Sequence, residues 1–349
     1  MNSNDHPLKD WDHNGKFTMA DAYQDRPPQE WVIQDLIPKP SLGVLVGNVG
    51  SLKTFVAQAA LMAVATGRDF LPPAPGSSAA GKTFKTVKSN GMLIDQDNGR
   101  GRTLDRLGAV GKAYNAPKDL GLVIYSFPTP TLDLSKESHA RDLLYRVADT
   151  DSKLIVIDNL VTISGGVDEN SAEIMKVMMN LRYIVENAQC AVFVIHHLRK
   201  SNGIKGLAGD SMRGFSGIKG AIDSLLVVSR EAGSDTITIS AEKSRDAFIP
   251  TFSANFAYTH KPGTKELDTA MFYCEGAVQK LTNADIADEV IAALTANANP
   301  MTQSSLVREV QKHCPGIGIN RIRTEINNMA NLGIITMRNT GGSYLYALP

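Results

Sequence analysis

The sequence predicts an α/β protein with a mostly parallel sheet, followed by a small second domain. Short runs rich in Val and Ile, such as residues 154–157 and 191–195, have the length and composition of strands buried on both faces. Amphipathic helical segments alternate with them, which is the pattern of a doubly wound sheet. A separate helical pattern with a Gly-rich hairpin then fills residues 282–349.

Taken in order, residues 1–30 are polar, contain Pro27-Pro28 and read as an arm of which only the last part is expected to be ordered. Residues 31–279 form the α/β domain. Within it, residues 71–90 hold Pro72, Pro73, Pro75 and Gly76 and read as a long surface loop or small hairpin. Residues 282–349 make the second domain. The chain has 349 residues, 43% hydrophobic and 21% charged, so it can bury a sizeable core, and a disordered tail protein is excluded. Lys+Arg and Asp+Glu balance at 36 each, so no whole-chain field holds a polyanion and any nucleic-acid contact needs a local patch. Cys190, Cys274 and Cys314 are widely spaced and odd in number, which fits neither a disulfide framework nor a paired metal site. With no signal-peptide core and no membrane-length apolar run, the expected location is the cytoplasm.

Two segments compete as a phosphate-binding loop. Residues 76–83, Gly-Ser-Ser-Ala-Ala-Gly-Lys-Thr, satisfy the GxxxxGK(S/T) pattern letter for letter. A phosphate loop, however, needs a strand before it and a helix after it, so that backbone N–H groups and a helix N-terminus converge on the anion. Prolines precede residues 76–83 and a strand-like alternation follows. The other candidate is Gly47-Asn48-Val49-Gly50-Ser51-Leu52-Lys53-Thr54, which carries Leu52 where the pattern wants its second glycine. Its context is right: residues 42–46 are a buried-strand run, and Phe55 opens an Ala-rich helix running to residue 66. Residues 47–54 are therefore the expected ATP-binding loop, with Lys53 on the β and γ phosphates and the Thr54 hydroxyl on Mg²⁺.

A nucleotide-hydrolysing site also needs a carboxylate on the metal and a group that activates water. Asp158 ends an apolar strand at the edge where open α/β sheets bind ligands, and is the expected metal carboxylate. Residues 92–97 are a further strand ending in Asp95-Gln96-Asp97; one of the two acids can face the site, and Asp97 is the favoured water-orienting base. The run 191–195 delivers His196 and His197, which suggests a γ-phosphate sensor. The pair itself is a poor chelator, because adjacent strand residues point to opposite faces.

Together these residues resemble the RecA-like P-loop ATPases, and specifically the RepA-type hexameric replicative DNA helicases and their AAA relatives. The resemblance spans roughly residues 27–256. It rests on an ordered series: Trp31-Val32-Ile33 and Leu36-Ile37-Pro38, then the loop 47–54, Ile94 to Asn98, Ile157-Asp158-Asn159, Ile195 to Lys200, Arg213 to Gly217, and Glu242-Lys243-Ser244-Arg245. It implies that Asp97 stands where the family's catalytic base, usually glutamate, stands, a shorter acid than the pattern. It implies His197 as sensor with His196 as runner-up, and Lys243 with Arg245 as a finger reaching a neighbouring subunit's γ-phosphate. A finger in trans implies a homo-oligomeric ring, expected as a hexamer. The family's single-stranded-DNA loops would fall in residues 164–172 and 199–217. The second of these holds Arg199, Lys200, Lys205 and Arg213 against Asp210 alone, the local charge excess that a phosphate backbone needs.

The last domain resembles a winged helix: helices over 284–296, 304–313 and 320–331, then a hairpin of 333–338 and 343–347. Arg321 and Arg323 would lie on the recognition helix, with Arg338 and the Gly341-Gly342 turn in the wing. The domain carries five basic and five acidic residues, so duplex DNA and docking of another replication protein remain equal alternatives. The expected function is an ATP-dependent helicase of plasmid or phage replication type, moving on single-stranded DNA. A non-translocating ATP-gated regulator or loader is the alternative, and a metabolic kinase on the same loop is the weakest reading because it has no use for a trans finger.

Overall fold

The structure, a computed structural model, describes residues 17–349 except 76–80, 169–170, 198–215, 232, 276–282, 298, 314–318 and 341–343. It divides into two compact units, Met1–Ala277 and Val278–Pro349.

In the first unit the elements run α1 (Met19–Ala22), β1 (Glu30–Ile33), β2 (Ile37–Lys39), β3 (Ser41–Gly47), α2 (Lys53–Thr66), β4 (Asn90–Asp95), α3 (Arg100–Ala113), β5 (Leu122–Ser126), α4 (Glu137–Asp149), β6 (Ser152–Asp158), α5 (Ile174–Ala188), β7 (Ala191–His197), α6 (Ser216–Ala221), β8 (Ser224–Arg230), β9 (Thr236–Ser244), β10 (Phe252–His260) and β11 (Leu267–Cys274). A nine-stranded sheet is ordered β11-β10-β9-β8-β3-β7-β6-β4-β5. The stretch from β8 to β5 is parallel, and β9, β10 and β11 extend it antiparallel. The mostly parallel α/β sheet expected from the sequence is present.

Strand alternation sorts the core into two layers. Leu45, Leu93, Val156, Phe193 and Ile195 face α2 and α3. Val44, Val46, Ile94, Ile157 and Val194 face the other way, toward α4, α5 and α6. The central strand β3 is buried along its whole length between β7 and β8, as its unbroken apolar run requires.

Residues 71–90 do not form a hairpin among the described residues; they cross the surface through isolated bridges, Phe70 to Phe84 and Ile33 to Thr86. The letter-perfect GxxxxGKT segment lies in this crossing. Its Lys82 is paired with Asp35 at 3.8 Å and stands over the Phe84 ring, and no helix follows it.

The second unit contains α7 (Asn283–Ala296), β12 (Met301–Thr302), α8 (Gln303–His313), α9 (Ile319–Asn331), β13 (Thr336–Asn339) and β14 (Tyr344–Ala347). Its three-stranded antiparallel sheet is ordered β12-β14-β13. Two details differ from the sequence reading. The short strand β12 closes the sheet, and Gly333 to Ile335 precede the hairpin strand instead of starting it, because Ile335 turns inward to join Ile286, Leu306, Ile326 and Tyr346 in the core.

Candidate active site

The loop between β3 and α2 is built by a close approach and two left-handed turns. At Gly47 a Cβ would stand 2.4 Å from the Val228 carbonyl oxygen and 2.7 Å from Ser51 Oγ, so only glycine lets the loop leave the strand against β8. Gly50 has φ +82°, which glycine adopts freely. Leu52 also adopts a left-handed conformation, φ 66°, and is the residue that departs from the motif. The pattern wants glycine there because the backbone turns left-handed before the helix. Leucine bears a cost of about 1–2 kcal/mol, which its packing against the core beside Phe55 offsets. Replacing Gly47 by alanine should force β3 and β8 apart and destabilise the unit by about 1–3 kcal/mol, as overpacking does. The matching check is chemical denaturation beside nucleotide binding, and both are expected to weaken.

Lys53 opens α2 with its amine turned back into the loop, donating to the Gly47 and Asn48 carbonyls at 2.8 Å each. The side chain is 4% exposed. Burial pulls the amine down to about 8, against the attraction of Asp158 and Asp97. Thr54, next in sequence, donates its hydroxyl to Asp158 Oδ2 at 2.8 Å.

Asp158 ends β6, the strand that pairs β7 on one side and β4 on the other. It is 1% exposed, and the Asn98 amide also donates to its Oδ2 at 3.0 Å. Its Oδ1 has no hydrogen-bond partner. Burial raises the carboxyl to about 6, helped by the negative charges of Asp95 and Asp97 and opposed by the Thr54 and Asn98 hydrogen bonds. The peptide that follows, Asp158–Asn159, is cis.

The alternating acids at the end of β4 take different roles. Asp95 is buried and engaged at both oxygens: Oδ1 accepts from the Asp97 and Asn98 N–H groups at 2.9 and 3.0 Å, and Oδ2 from the Thr103 hydroxyl. It therefore shapes the turn and ties it to α3. Gln96 clamps the neighbouring loops, accepting from Leu132 N–H at 2.6 Å and donating to the Leu132 and Thr162 carbonyls at 3.2 Å. Asp97 is left partly exposed, with its Oδ2 3.7 Å from His197 Nε2.

The two histidines separate as strand geometry demands. His197 lies beside Gly47 in the β3–β7 register, on the α2 side of the sheet. Burial and the nearby Lys53 charge lower its pKa, with Asp97 acting in the opposite direction. His196 is buried on the opposite face, in register with Val46, so of the two only His197 is turned toward the loop.

Lys53, Thr54, Asp97, Asp158 and His197 thus meet at one sheet edge. Lys243 and Arg245 do not join them. Lys243 pairs with Leu225, three rows from Val228 and hence about 10 Å from the level of Gly47. Its amine donates to the Lys219 carbonyl at 2.6 Å, and Arg245 donates to Asp223 Oδ1 at 3.1 Å. Burial would raise the Asp223 carboxyl, but its bonds from Arg182 and the Leu42 N–H, with the Arg182 and Arg245 charges, hold it below the usual range. Arg199, Lys200, Lys205 and Arg213 lie outside the described residues, as does the Arg321 side chain, whereas Arg323 is exposed on α9.

Sequence reasoning missed Arg106, which donates to Asn98 Oδ1 at 2.8 Å and stands over the Phe55 ring. Burial and Arg102 lower its pKa. It props the amide that holds Asp158. The repeated arginines Arg102 and Arg106, one helical turn apart after Asn98, were the available signal.

A strand, a glycine loop with lysine and threonine at the start of a helix, and an acid ending a neighbouring parallel strand define a P-loop nucleoside triphosphatase. A family model described as an AAA domain matches residues 12–203, more than half of the chain and the stretch that holds all five converging side chains. The chain belongs to this family of P-loop ATPases. A search of curated proteins returned no match. The family generally uses ATP and Mg²⁺, and the residues fit that pair. The Lys53 amine now uses loop carbonyls as partners, the Thr54 hydroxyl and Asp158 sit together, and the unpartnered Asp158 Oδ1 is a buried acceptor suited to a metal-bound water. Among the described residues no helix is long and apolar enough to cross a membrane.

Proposed function

We propose that the chain is an ATP-dependent DNA translocase or helicase of plasmid or phage replication type, acting as a homo-oligomeric ring, a hexamer, on single-stranded DNA. The observation that carries this reading is the seat of Lys243 and Arg245. They lie at the level of the sheet away from their own loop, so if these cations serve a phosphate it belongs to a neighbour, and that requires a head-to-tail assembly.

Within one site the loop amides and Lys53 hold the β and γ phosphates, and Thr54 with Asp158 holds Mg²⁺, which neutralises developing phosphate charge when bound. Asp97 Oδ2 takes the proton of the attacking water, and His197 reads the γ position from the end of β7. Arg245, released from Asp223, stabilises charge across the interface. The basic residues at 199, 200, 205 and 213 track the DNA backbone.

The second unit supports a winged-helix reading through its order helix, strand, two helices and hairpin, with Arg323 on the third helix and Arg338 on the wing strand. Its neutral charge leaves it to dock duplex DNA or another replication protein.

Steady-state ATP hydrolysis should rise when single-stranded DNA is added, and Lys53→Ala should abolish the stimulated rate. A mixture of Lys53→Ala and Arg245→Ala chains, each inactive alone, should regain about a quarter of wild-type turnover, because one interface in four then holds both native residues. Turnover that ignores DNA, together with no recovery on mixing, would move the assignment to an ATP-gated regulator that binds through the second unit.

A further inference from the structure

The adjacent pair His196-His197 cannot chelate one ion, but the fold replaces one histidine by two carboxylates from other strands. Asp97 after β4, Asp158 at the end of β6 and His197 at the end of β7 each offer a ligand atom, and these atoms all lie within 4.8 Å of one another. One side, His197 Nε2 to Asp97 Oδ2, measures 3.7 Å. A divalent transition ion holds N and O ligands at about 2.0–2.2 Å, which sets neighbouring ligands about 3–3.5 Å apart, so closing this triangle needs side-chain shifts of an ångström or so. Two of the corners, Asp97 and His197, are partly exposed and free to make them. The third is fixed: Asp158 is 1% exposed, Thr54 and Asn98 hold its Oδ2, and its Oδ1 has no partner.

The donor set decides which ion fits. Mg²⁺ takes oxygen ligands at near-ideal octahedral geometry and keeps several waters, so Thr54 and Asp158 suffice for it. Two carboxylates with one imidazole form the mixed set that suits the later first-row ions, and their affinity for such a set rises from Mn²⁺ toward Zn²⁺ and Cu²⁺.

We propose that Asp97, Asp158 and His197 form a second, nucleotide-independent site for a borderline divalent ion of the Co²⁺ or Zn²⁺ type, and that its occupation switches ATP turnover off. Binding follows from the three side chains alone. The inhibition rests on the assignment of Asp97 and His197 to hydrolysis. An ion held by both removes the Asp97 carboxylate from the water and the imidazole from the γ position, and it claims the Asp158 oxygen that Mg²⁺ needs. A cell would then meet the site as a brake sensitive to free transition metal, with Mg²⁺ unable to imitate it.

Calorimetric titration of the nucleotide-free, metal-stripped full chain with Zn²⁺, and separately with Co²⁺, tests binding without any turnover. One site per chain is expected, weakened at least about tenfold in His197→Ala and in Asp97→Asn, the loss that even supporting residues of metal sites produce. Mg²⁺ should compete only weakly, and His197→Ala should leave the Mg²⁺ affinity unchanged. Both altered residues are partly exposed, so both variants are expected to fold, and their thermal midpoints without metal should match wild type. Zn²⁺ should raise the midpoint of wild type more than that of either variant. Equal Zn²⁺ affinity in wild type and both variants would overturn the proposal, as would a His197→Ala loss that is the same for Mg²⁺ and Zn²⁺. If binding behaves as stated and chelator-reversible inhibition of ATP hydrolysis is absent, the site stands and the assignment of Asp97 and His197 to hydrolysis fails.

Discussion

Replacing Lys53 by alanine is expected to lower ATP hydrolysis by about 10²–10³-fold, the loss that follows removal of one preorganised donor from a charge-developing site, while the fold persists. The amine is held between the Gly47 and Asn48 carbonyls in a site that already penalises its charge, with its pKa pulled down to about 8. Losing it therefore removes an electrostatic burden together with two hydrogen bonds, and the thermal midpoint should change little. Lys53→Arg should be nearly as inactive, because the planar guanidinium does not fit where a compact ammonium sits between two carbonyls. The comparison that gives the result its meaning is Lys82→Ala. Lys82 belongs to the segment that matches the motif letter for letter, yet it lies on a surface crossing, 38% exposed and paired with Asp35. Its loss should leave turnover within twofold of wild type, about the effect of breaking an exposed ion pair. If the two results were exchanged, residues 47–54 would not be the phosphate loop. The same amine predicts a pH limb. In the free enzyme Lys53 loses its proton above about pH 8, so kcat/KM should decline there and not near the ordinary lysine value of 10.5.

The position of that loop was legible because its context is local: a buried strand, a turn and an Ala-rich helix are contiguous, and periodicity reports each. Asp158 was legible for the same reason, as an acid at the end of an apolar run. The choice between Asp95 and Asp97 was not local. It depends on Thr103, eight residues on and in another element, which takes one oxygen of Asp95 and leaves Asp97 to face the site. Alternation along β7 foretold that His196 and His197 would part, but not that His197 would meet an aspartate 100 residues earlier in the chain. Arg106 is similar: its contact with Asn98 spans only eight residues, but its purpose appears only through the Asn98 bond to Asp158, 60 residues away. Leu52 departs from the letters of the motif. The backbone explains it as a left-handed turn carried by a side chain that packs, a compensation that a pattern of letters does not record.

Asp158→Asn should separate stability from turnover. The carboxyl rises from 3.8 to about 6 on folding, chiefly because it is buried and secondarily because Asp95 and Asp97 are near. Between those two values the folded chain binds more protons than the unfolded one, so stability falls as pH rises from 3.8 to about 6, and the full penalty remains above it. A shift of about two units corresponds to about 3 kcal/mol. The amide of the variant carries no charge to desolvate and can still accept from Thr54 and Asn98. Its NH₂ would take the place of Oδ1, which has no partner, and leaving that donor unpaired returns about 1–3 kcal/mol. The net expectation in metal-free, nucleotide-free buffer at pH 7 is a gain of about 1 kcal/mol, or a midpoint higher by about 2–4 °C. The diagnostic is the pH course of the difference between the two proteins. It should widen in favour of the variant from pH 3.8 to about 6 and then stay level to neutrality. Mg²⁺ with ATP should raise the wild-type midpoint more than the variant's, and turnover in the variant should fall by about 10² or more, as expected for loss of a group that stabilises transition-state charge. Parallel melting curves across that pH range would mean that the buried carboxylate is not strained. The unpartnered oxygen would then have to be explained by something other than a site held ready for a cation.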